Sequence, residues 1–458
     1  MCHLRILFVL SALLFPLVAR AQPAWKELFN GKDLKGWKQL GGAAKFYTDK
    51  GVIVGEAVPN TPNSFLTTES EYGDFILEFE VYLDADINSG VQIRSHSTSD
   101  YKKGVVHGLQ VEIDPTTRAF SGGIYDEEGR GWLYPISRNP KASTAYRQAE
   151  WNAYHIEAIG NEINTWINGV HCARMVDSES PKGFIALQVH KVDNEKLSGA
   201  KIRWRNLKIL TSTFSDALRP RDPEVTEISY LLNELTDLEK RKGWRLLWDG
   251  KTSNGWRSAR SDKFPSSGWV IRDGSLTVNG TNGGESAGPG DIVTVDQFSD
   301  FELEVEFKIT PGANSGIKYF VDPDINKGAG SAIGCEFQIL DDERHEDAKM
   351  GVMGNRTLGS VYDLIAPENL SIPGRPKQFK GIGQWNQARI VSKNGKVEHW
   401  LNNEKVIEYD RFSQMFKALV NNSKFQKWNG FGRWPQGHIL LQEHGSEVSF
   451  RNIKIREL

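Results

Sequence analysis

Residues 75–83 read Phe75-Ile76-Leu77-Glu78-Phe79-Glu80-Val81-Tyr82-Leu83, with every odd-numbered position large and apolar and Glu78, Glu80 and Tyr82 among the even-numbered ones. A period of two marks a β-strand with one face in a core, because successive side chains leave a strand on opposite faces. The pattern returns at 301–307, where Phe301, Leu303, Val305 and Phe307 alternate with Glu302, Glu304 and Glu306. Asp74 and Asp300 precede the two stretches, which therefore read as copies of one strand.

Outward from this pair, the chain repeats itself once along its length. Leu28-Phe29-Asn30-Gly31-Lys32, then Gly36-Trp37, returns as Leu247-Trp248-Asp249-Gly250-Lys251, then Gly255-Trp256. Asn88-Ser89-Gly90-Val91 returns as Asn314-Ser315-Gly316-Ile317, and Leu187-Gln188-Val189-His190 as Leu441-Gln442-Glu443-His444. Both halves close on one pattern, Arg205-Asn206-Leu207-Lys208-Ile209 and Arg451-Asn452-Ile453-Lys454-Ile455. Order and sense agree throughout, so the two halves are copies of one unit. Many short alternating runs separated by Asn-Gly, Asp-Gly and Gly-Gly steps predict an antiparallel sandwich or jelly roll in each copy. The predicted organisation is residues 24–212, then a linker over 213–243, then 244–458. In the linker Ile228, Leu231, Leu232, Leu235 and Leu238 fall at helical spacing, with Lys240-Arg241-Lys242 and Gly243 as stop signals, which predicts a helix over 224–242.

At 458 residues the chain is long enough for roughly three domains, and the duplication reduces these to two sandwiches and a connection. Apolar residues at 39% and charged residues at 25% exclude a disordered polymer and a multi-span membrane protein. A net charge of −2 supplies no basic field for nucleic acid. The 44 glycines fit two sets of strand turns, and the 14 tryptophans include the recurring pairs Trp37/Trp256 and Trp166/Trp400. At the N-terminus Arg5 precedes the apolar run Ile6 to Val18, which is too short to span a bilayer and is broken by Pro16, and Ala19-Arg20-Ala21 supplies small residues for cleavage. Residues 1–21 are expected to be a removable export signal with no membrane anchor left behind, placing the protein in the bacterial periplasm or outside the cell. Cys172 and Cys335 fall in different copies and read as buried thiols rather than a disulfide.

Three motifs fail on inspection. Glu112-Ile113-Asp114 begins a glycosidase E-x-D-x-x-E, but Thr117 stands where the second glutamate is needed. His345-Glu346 opens H-E-x-x-H, but Lys349 occupies the second ligand position. Asp322, Asp324 and Asn326 resemble a calcium loop whose glycine and bidentate glutamate are replaced by Lys327 and Ile333.

Strand parity carries more. In Leu109-Gln110-Val111-Glu112-Ile113-Asp114 the odd positions belong to the core, so Gln110, Glu112 and Asp114 project together from the other face, and Glu336 and Gln338 do so in the second copy. The two copies therefore each keep one carboxylate and one amide, in swapped order. Gln188 and His190, matched by Gln442 and His444, project from the last long strand. Gln92 and Arg94 answer to Lys318 and Phe320, and Tyr125-Asp126 to Tyr362-Asp363. Asp341 and His345 lie just beyond the Glu336 strand, at its rim. His399 shares parity with Val397 and Leu401 and reads either as a core histidine or as a ligand. A carboxylate, an amide, a histidine and a tyrosine on one concave sheet form a candidate acid/base site.

These residues resemble the 3-keto-disaccharide hydrolase family, also described as 3-keto-glucoside 1,2-lyase/hydratase, over both copies. The carriers include Gly123-Ile124-Tyr125-Asp126-Glu127, Glu336-Phe337-Gln338-Ile339-Leu340-Asp341, His399-Trp400-Leu401-Asn402 and Gly437-His438-Ile439-Leu440-Leu441-Gln442-Glu443-His444-Gly445. Glu443 departs from the pattern, where aspartate is the more usual residue. The resemblance implies an all-β fold, two concanavalin A-like jelly rolls joined by a short helical linker, acting on 3-keto sugars. The chemistry it implies needs a single base, because a C3 ketone acidifies the C2 hydrogen and the C1 aglycone can then leave. Glu336 or His444 is the expected base, with Lys318, Tyr362 or a divalent cation stabilising the enolate oxygen. A metal held by Glu336, His399 and His444 is one form this could take. Gln338, Gln442, Asp341 and His345 are the expected substrate contacts of the second copy, and Gln110, Glu112, Asp114, Tyr125, Arg94, Gln188 and His190 those of the first. The competing reading is a lectin-like protein that binds carbohydrate without changing it.

Overall fold

The computed structural model describes residues 24–193, 195–281, 288–327 and 330–458, and the export segment expected at 1–21 lies outside the described residues. Phe75–Leu83 is a strand, and its odd-numbered side chains are at most 2% exposed. It sits inside a sheet running, in spatial order, Glu227–Ser229, Val170–Val176, Glu162–Ile167, Asn152–Ile159, Phe75–Leu83, Lys201–Leu210, Val52–Glu56 and Lys45–Asp49. A second sheet, in the order Gly131–Tyr134, Ile124–Glu127, His107–Ile113, Ser89–His96, Gly183–Val189, Ser64–Tyr72 and Trp37–Gly41, faces it across one apolar core. The second copy repeats this: Phe301–Ile309 lies between Val448–Glu457 and Asn386–Lys393 in the larger sheet. The smaller sheet has the order Trp256–Ser258, Ile292–Thr294, His438–Leu441, Asn314–Asp322 and Ile333–Leu340. Both copies are antiparallel jelly-roll sandwiches, and the whole fold is all-β.

The linker differs from the helix expected over 224–242. Glu227–Ser229 is extended and pairs in parallel with Val170–Val176, and only Asp237–Arg241 is helical. Two local features set this. Val225 and Ile228 bury into the first core instead of forming a stripe with Leu232, which is exposed. The helix then starts late, at a capping box in which Thr236 accepts from the Glu239 backbone and Glu239 reaches back to the Thr236 N–H. A second helix, Gln414–Asn421, capped by Ser413, occupies part of the longer loops of the second copy.

The glutamates of 301–309 do not face open solvent as simple alternation implies. Glu302, Glu304 and Glu306 are buried and ion-paired to Arg389 (2.5 Å), Lys454 (3.0 Å) and Arg451 (2.6 Å), respectively. Arg138 of the first copy reaches this face, 5.3 Å from the Trp400 ring, so the outer side of the larger sheet is where the copies meet. Asn233 and Asn452 exchange backbone-to-side-chain hydrogen bonds at 2.5 and 2.8 Å, and Lys454 donates to Glu239 at 2.5 Å. The linker is thus held to the second copy as well as to the first.

Candidate functional site

The second copy's smaller sheet assembles most of the expected residues. Lys318 and Glu336 are directly opposite one another in antiparallel register, with Nζ 3.7 Å from Oε2 and both side chains about 5% exposed. The Glu336 carboxylate lies flat over Gly316, and the Gln338 amide comes within 3.2 Å of Glu336 Oε1 and 3.1 Å of the Asn314 side chain. Lys318 also donates to Ser331 Oγ (2.5 Å), which hydrogen-bonds to Asp291. Gln442 is held on the neighbouring strand end by its backbone N–H to Gly316 O, 3.0 Å. Tyr362 donates its hydroxyl to Asp347 (2.8 Å), with the Lys424 ammonium 4.2 Å from its ring centre. Burial first, and the Asp347 carboxylate second, push the Tyr362 phenol well above its ordinary range, so it remains protonated. At the rim, Asp341 accepts from Gly312 N (2.7 Å) and Arg344 (3.1 Å), contacts that outweigh burial and lower its carboxyl. The His345 and His444 rings stand 6.4 Å apart, and burial, followed by the nearby His444, lowers His345. Glu443 faces away from this surface: its carboxylate accepts from Gly445 N (2.8 Å) and Gly288 N (3.1 Å) and holds a loop.

The first copy keeps the same frame with the swapped pair. Gln110 lies over Gly90 as Glu336 lies over Gly316. Glu112 Oε1 accepts from Asn88 (2.7 Å) and Arg118 (2.9 Å), and Oε2 from Gln110 (3.0 Å). Burial raises its carboxyl against the pull of Arg118. Asp114 accepts from Arg118 Nε (2.7 Å) and from Thr116. Tyr125 is pushed up to about 12 by burial and then by Glu127 and Glu112. His190 is half-buried, its Nδ1 2.9 Å from Lys191 O, and burial lowers it. Gln188 is fully buried on this face, and its amide has no partner among the described residues.

Two expected residues stand elsewhere. His399 is in the core between the sheets, 0% exposed, with Nε2 2.8 Å from Tyr319 OH and Nδ1 3.0 Å from Gly359 O. Burial pushes it down to about 4, so it is a neutral core histidine. Both nitrogens are used, so it cannot join Glu336 and His444 at a metal, and no group of three His, Cys, Asp or Glu suited to a metal exists among the described residues. Arg94 sits at a β-bulge with φ +48°, which reverses its parity: it donates to Gly73 O (2.9 Å), Gly160 O (2.8 Å) and Asp74 (3.2 Å), away from the face that carries Gln110 and Glu112.

A cavity of about 800 Å³ opens over the first copy's face and is roofed by the second copy. Gln110, Glu112, Asp114, Tyr125 and His190 line its floor. Arg118, Glu127 and Trp132 also line it and were not singled out from the sequence; Arg375, Phe379, Lys380 and Glu404 form the roof. Burial raises the Glu127 carboxyl to about 7, opposed by a hydrogen bond from Asn63 (2.8 Å). The Tyr125-Asp126-Glu127 alternation could have placed Glu127 near this rim. The roof residues had no such signal, because their place in the cavity depends on how the second copy packs on the first.

The model of the 3-keto-alpha-glucoside-1,2-lyase-like domain matches residues 24–210 and again 243–456. The chain is 37% identical over 236 residues to a 3-keto-disaccharide hydrolase of Bacteroides thetaiotaomicron, an alignment covering 47% of this chain and 79% of that protein. A crystal structure from Parabacteroides distasonis, of a candidate glycosyl hydrolase, is 32% identical and covers 50% of this chain and 99% of its own, with a TM-score of 0.43. A second structure from the same organism is 26% identical, covering 45% and 100% with a TM-score of 0.32. With the domain matched twice over most of its length, the chain belongs to the 3-keto-alpha-glucoside-1,2-lyase-like family.

Proposed function

We propose that the protein is an exported carbohydrate-active enzyme that cleaves 3-keto-glycosides on the smaller sheet of its second copy. The Glu336–Lys318 pair beside Gly316 carries this reading: a buried carboxylate and an ammonium, 3.7 Å apart, stand side by side on one face of the sheet. Glu336 removes the proton from C2, which the C3 ketone has acidified, and the electron pair moves onto the ketone oxygen as an enolate. The Lys318 ammonium stabilises that oxygen. The enolate then collapses: the C3 carbonyl reforms, a C1–C2 double bond forms, and the C1–oxygen bond breaks with its electrons leaving on the aglycone. His444 at the rim protonates the departing oxygen. Water adding across the C1–C2 double bond, hydroxyl to C1 and hydrogen to C2, completes a net hydrolysis. The name of the Bacteroides relative and the family match support the substrate class, and the apolar run after Arg5 supports export.

The test is incubation of the purified protein with a 3-keto-glucoside, following enone absorbance and released aglycone with and without added divalent cation. Glu336→Gln should lower kcat/KM by about 10²–10⁴-fold with an unchanged melting temperature. No enone and no aglycone under either condition would overturn the enzymatic reading in favour of a lectin-like protein.

A further inference from the structure

The cavity between the copies is lined by two cations that make no direct ion pair among the described residues. On its floor the carboxylates are satisfied: Glu112 and Asp114 share Arg118, and Glu127 has Asn63. On its roof the cations are not. Neither the Arg375 guanidinium nor the Lys380 ammonium has an ion pair or side-chain hydrogen bond among the described residues, and Arg375 Nη1 is buried without a partner. Both stand on one short segment, 375–380, that enters the cavity from the second copy. Glu404, 1% exposed beside them, uses Oε2 for Asn369 (2.6 Å) and leaves Oε1 unpartnered. Carboxylates act on these two half-buried cations only at longer range, Glu404 on Arg375 and Glu306, Asp126 and Glu179 on Lys380, so a ligand carboxylate in direct contact adds a pairing that the protein does not supply. Burial lowers the Lys380 amine to about 8 against the opposing pull of Glu306.

The other walls suit a sugar. Asn63, Asn88 and Gln110 line it with amides, and Trp132 and Phe379 offer flat apolar surface. A second cavity of about 750 Å³, also walled by both copies, shares Arg130 and Lys380 with the first.

We propose that this inter-copy cavity is a separate binding site for an acidic glycan, with Arg375 and Lys380 pairing with the carboxylate of a uronic acid residue. The proposal rests on the carbohydrate reading above only in taking the ligand to be a sugar. Neither copy alone has the site, because the floor belongs to one and the cations to the other.

The test is calorimetric titration of the full chain with cellobiouronic acid and with cellobiose, which differ by one carboxylate in place of a hydroxymethyl group. The acid should bind at least tenfold tighter at low ionic strength, and the preference should shrink as salt rises. Arg375→Gln and Lys380→Gln should each reduce the preference several-fold, whereas Lys380→Arg should keep it; matching melting temperatures separate lost contacts from lost folding. Binding should persist in Glu336→Gln, so a failed turnover assay and a failed binding assay are distinguishable. Equal affinity for the two sugars, no binding of either, or a preference that survives in the Arg375→Gln/Lys380→Gln double variant would overturn the proposal.

Discussion

The Glu336 carboxylate occupies the space in which any side chain at position 316 would sit: a Cβ built on Gly316 would fall 1.9 Å from Glu336 Oε1 and 2.7 Å from its Cδ. The repeated Asn-Ser-Gly is therefore a device for seating a long side chain flat on the sheet, and Gly90 does the same for Gln110. The obstruction is side chain rather than backbone, so Gly316→Ala should displace the carboxylate and leave the strand in place. We expect a loss of about 10²-fold in kcat/KM on a 3-keto-glucoside. Circular dichroism should be unchanged. Undiminished turnover would remove Glu336 from the chemistry.

His399 predicts a pH dependence of stability. Its folded value of about 4 lies below the ordinary 6.5, so the unfolded chain binds the extra proton between those values. The stability it contributes is present above about pH 6.5 and is lost as pH falls towards 4, on the order of 3 kcal/mol in all. Urea melts of wild type and His399→Leu across that window should show a slope in the first that is reduced in the second. A ligand role would show instead as lost metal content.

Glu127 has the opposite sign. Burial raises its folded value to about 7 from the ordinary 4.5, so the fold favours the protonated acid. That contribution is complete below about pH 4.5 and is lost as pH rises through about 7. Infrared difference spectra of wild type minus Glu127→Gln should show a carboxyl band disappearing near pH 7. A band already absent at pH 5 would refute the raised value.

Lys454 is buried between Glu239 of the linker and Glu304 of the second copy, at 2.5 and 3.0 Å. Burial alone would lower its ammonium, but Glu304 and Glu239 together raise it. Lys454→Met leaves two carboxylates facing an apolar group and should cost about 3–5 kcal/mol in denaturant unfolding. The Lys454→Met/Glu239→Gln/Glu304→Gln variant should recover part of it, since no charge is then stranded.

Alternation and repetition made the sandwiches legible, because a strand with one buried face announces itself by period and a duplication announces itself by order. The same parity found Glu112, Gln110, Glu336 and Lys318. It misplaced Arg94 because a bulge shifts the period by one, and it could not separate the alternatives for His399 because a core position and a ligand position can share parity. The 224–242 stripe was spaced for a helix, yet Val225 and Ile228 gained more by burial in the first core. Arg375, Lys380 and Glu404 were invisible for a different reason: their role depends on how two folded copies meet, which no local pattern encodes.

The short parallel strand Glu227–Ser229 has a further consequence. It covers the unpaired backbone of Val170–Val176, the outermost strand of the first copy's own repeat. Severing the chain after residue 212 would strip that cover from a Val-, Cys- and Met-rich segment and expose a sticky flank ready to recruit another chain. The connection between the copies thus acts as a guard against self-association, and the first copy expressed alone should form soluble oligomers or aggregates where the intact chain does not.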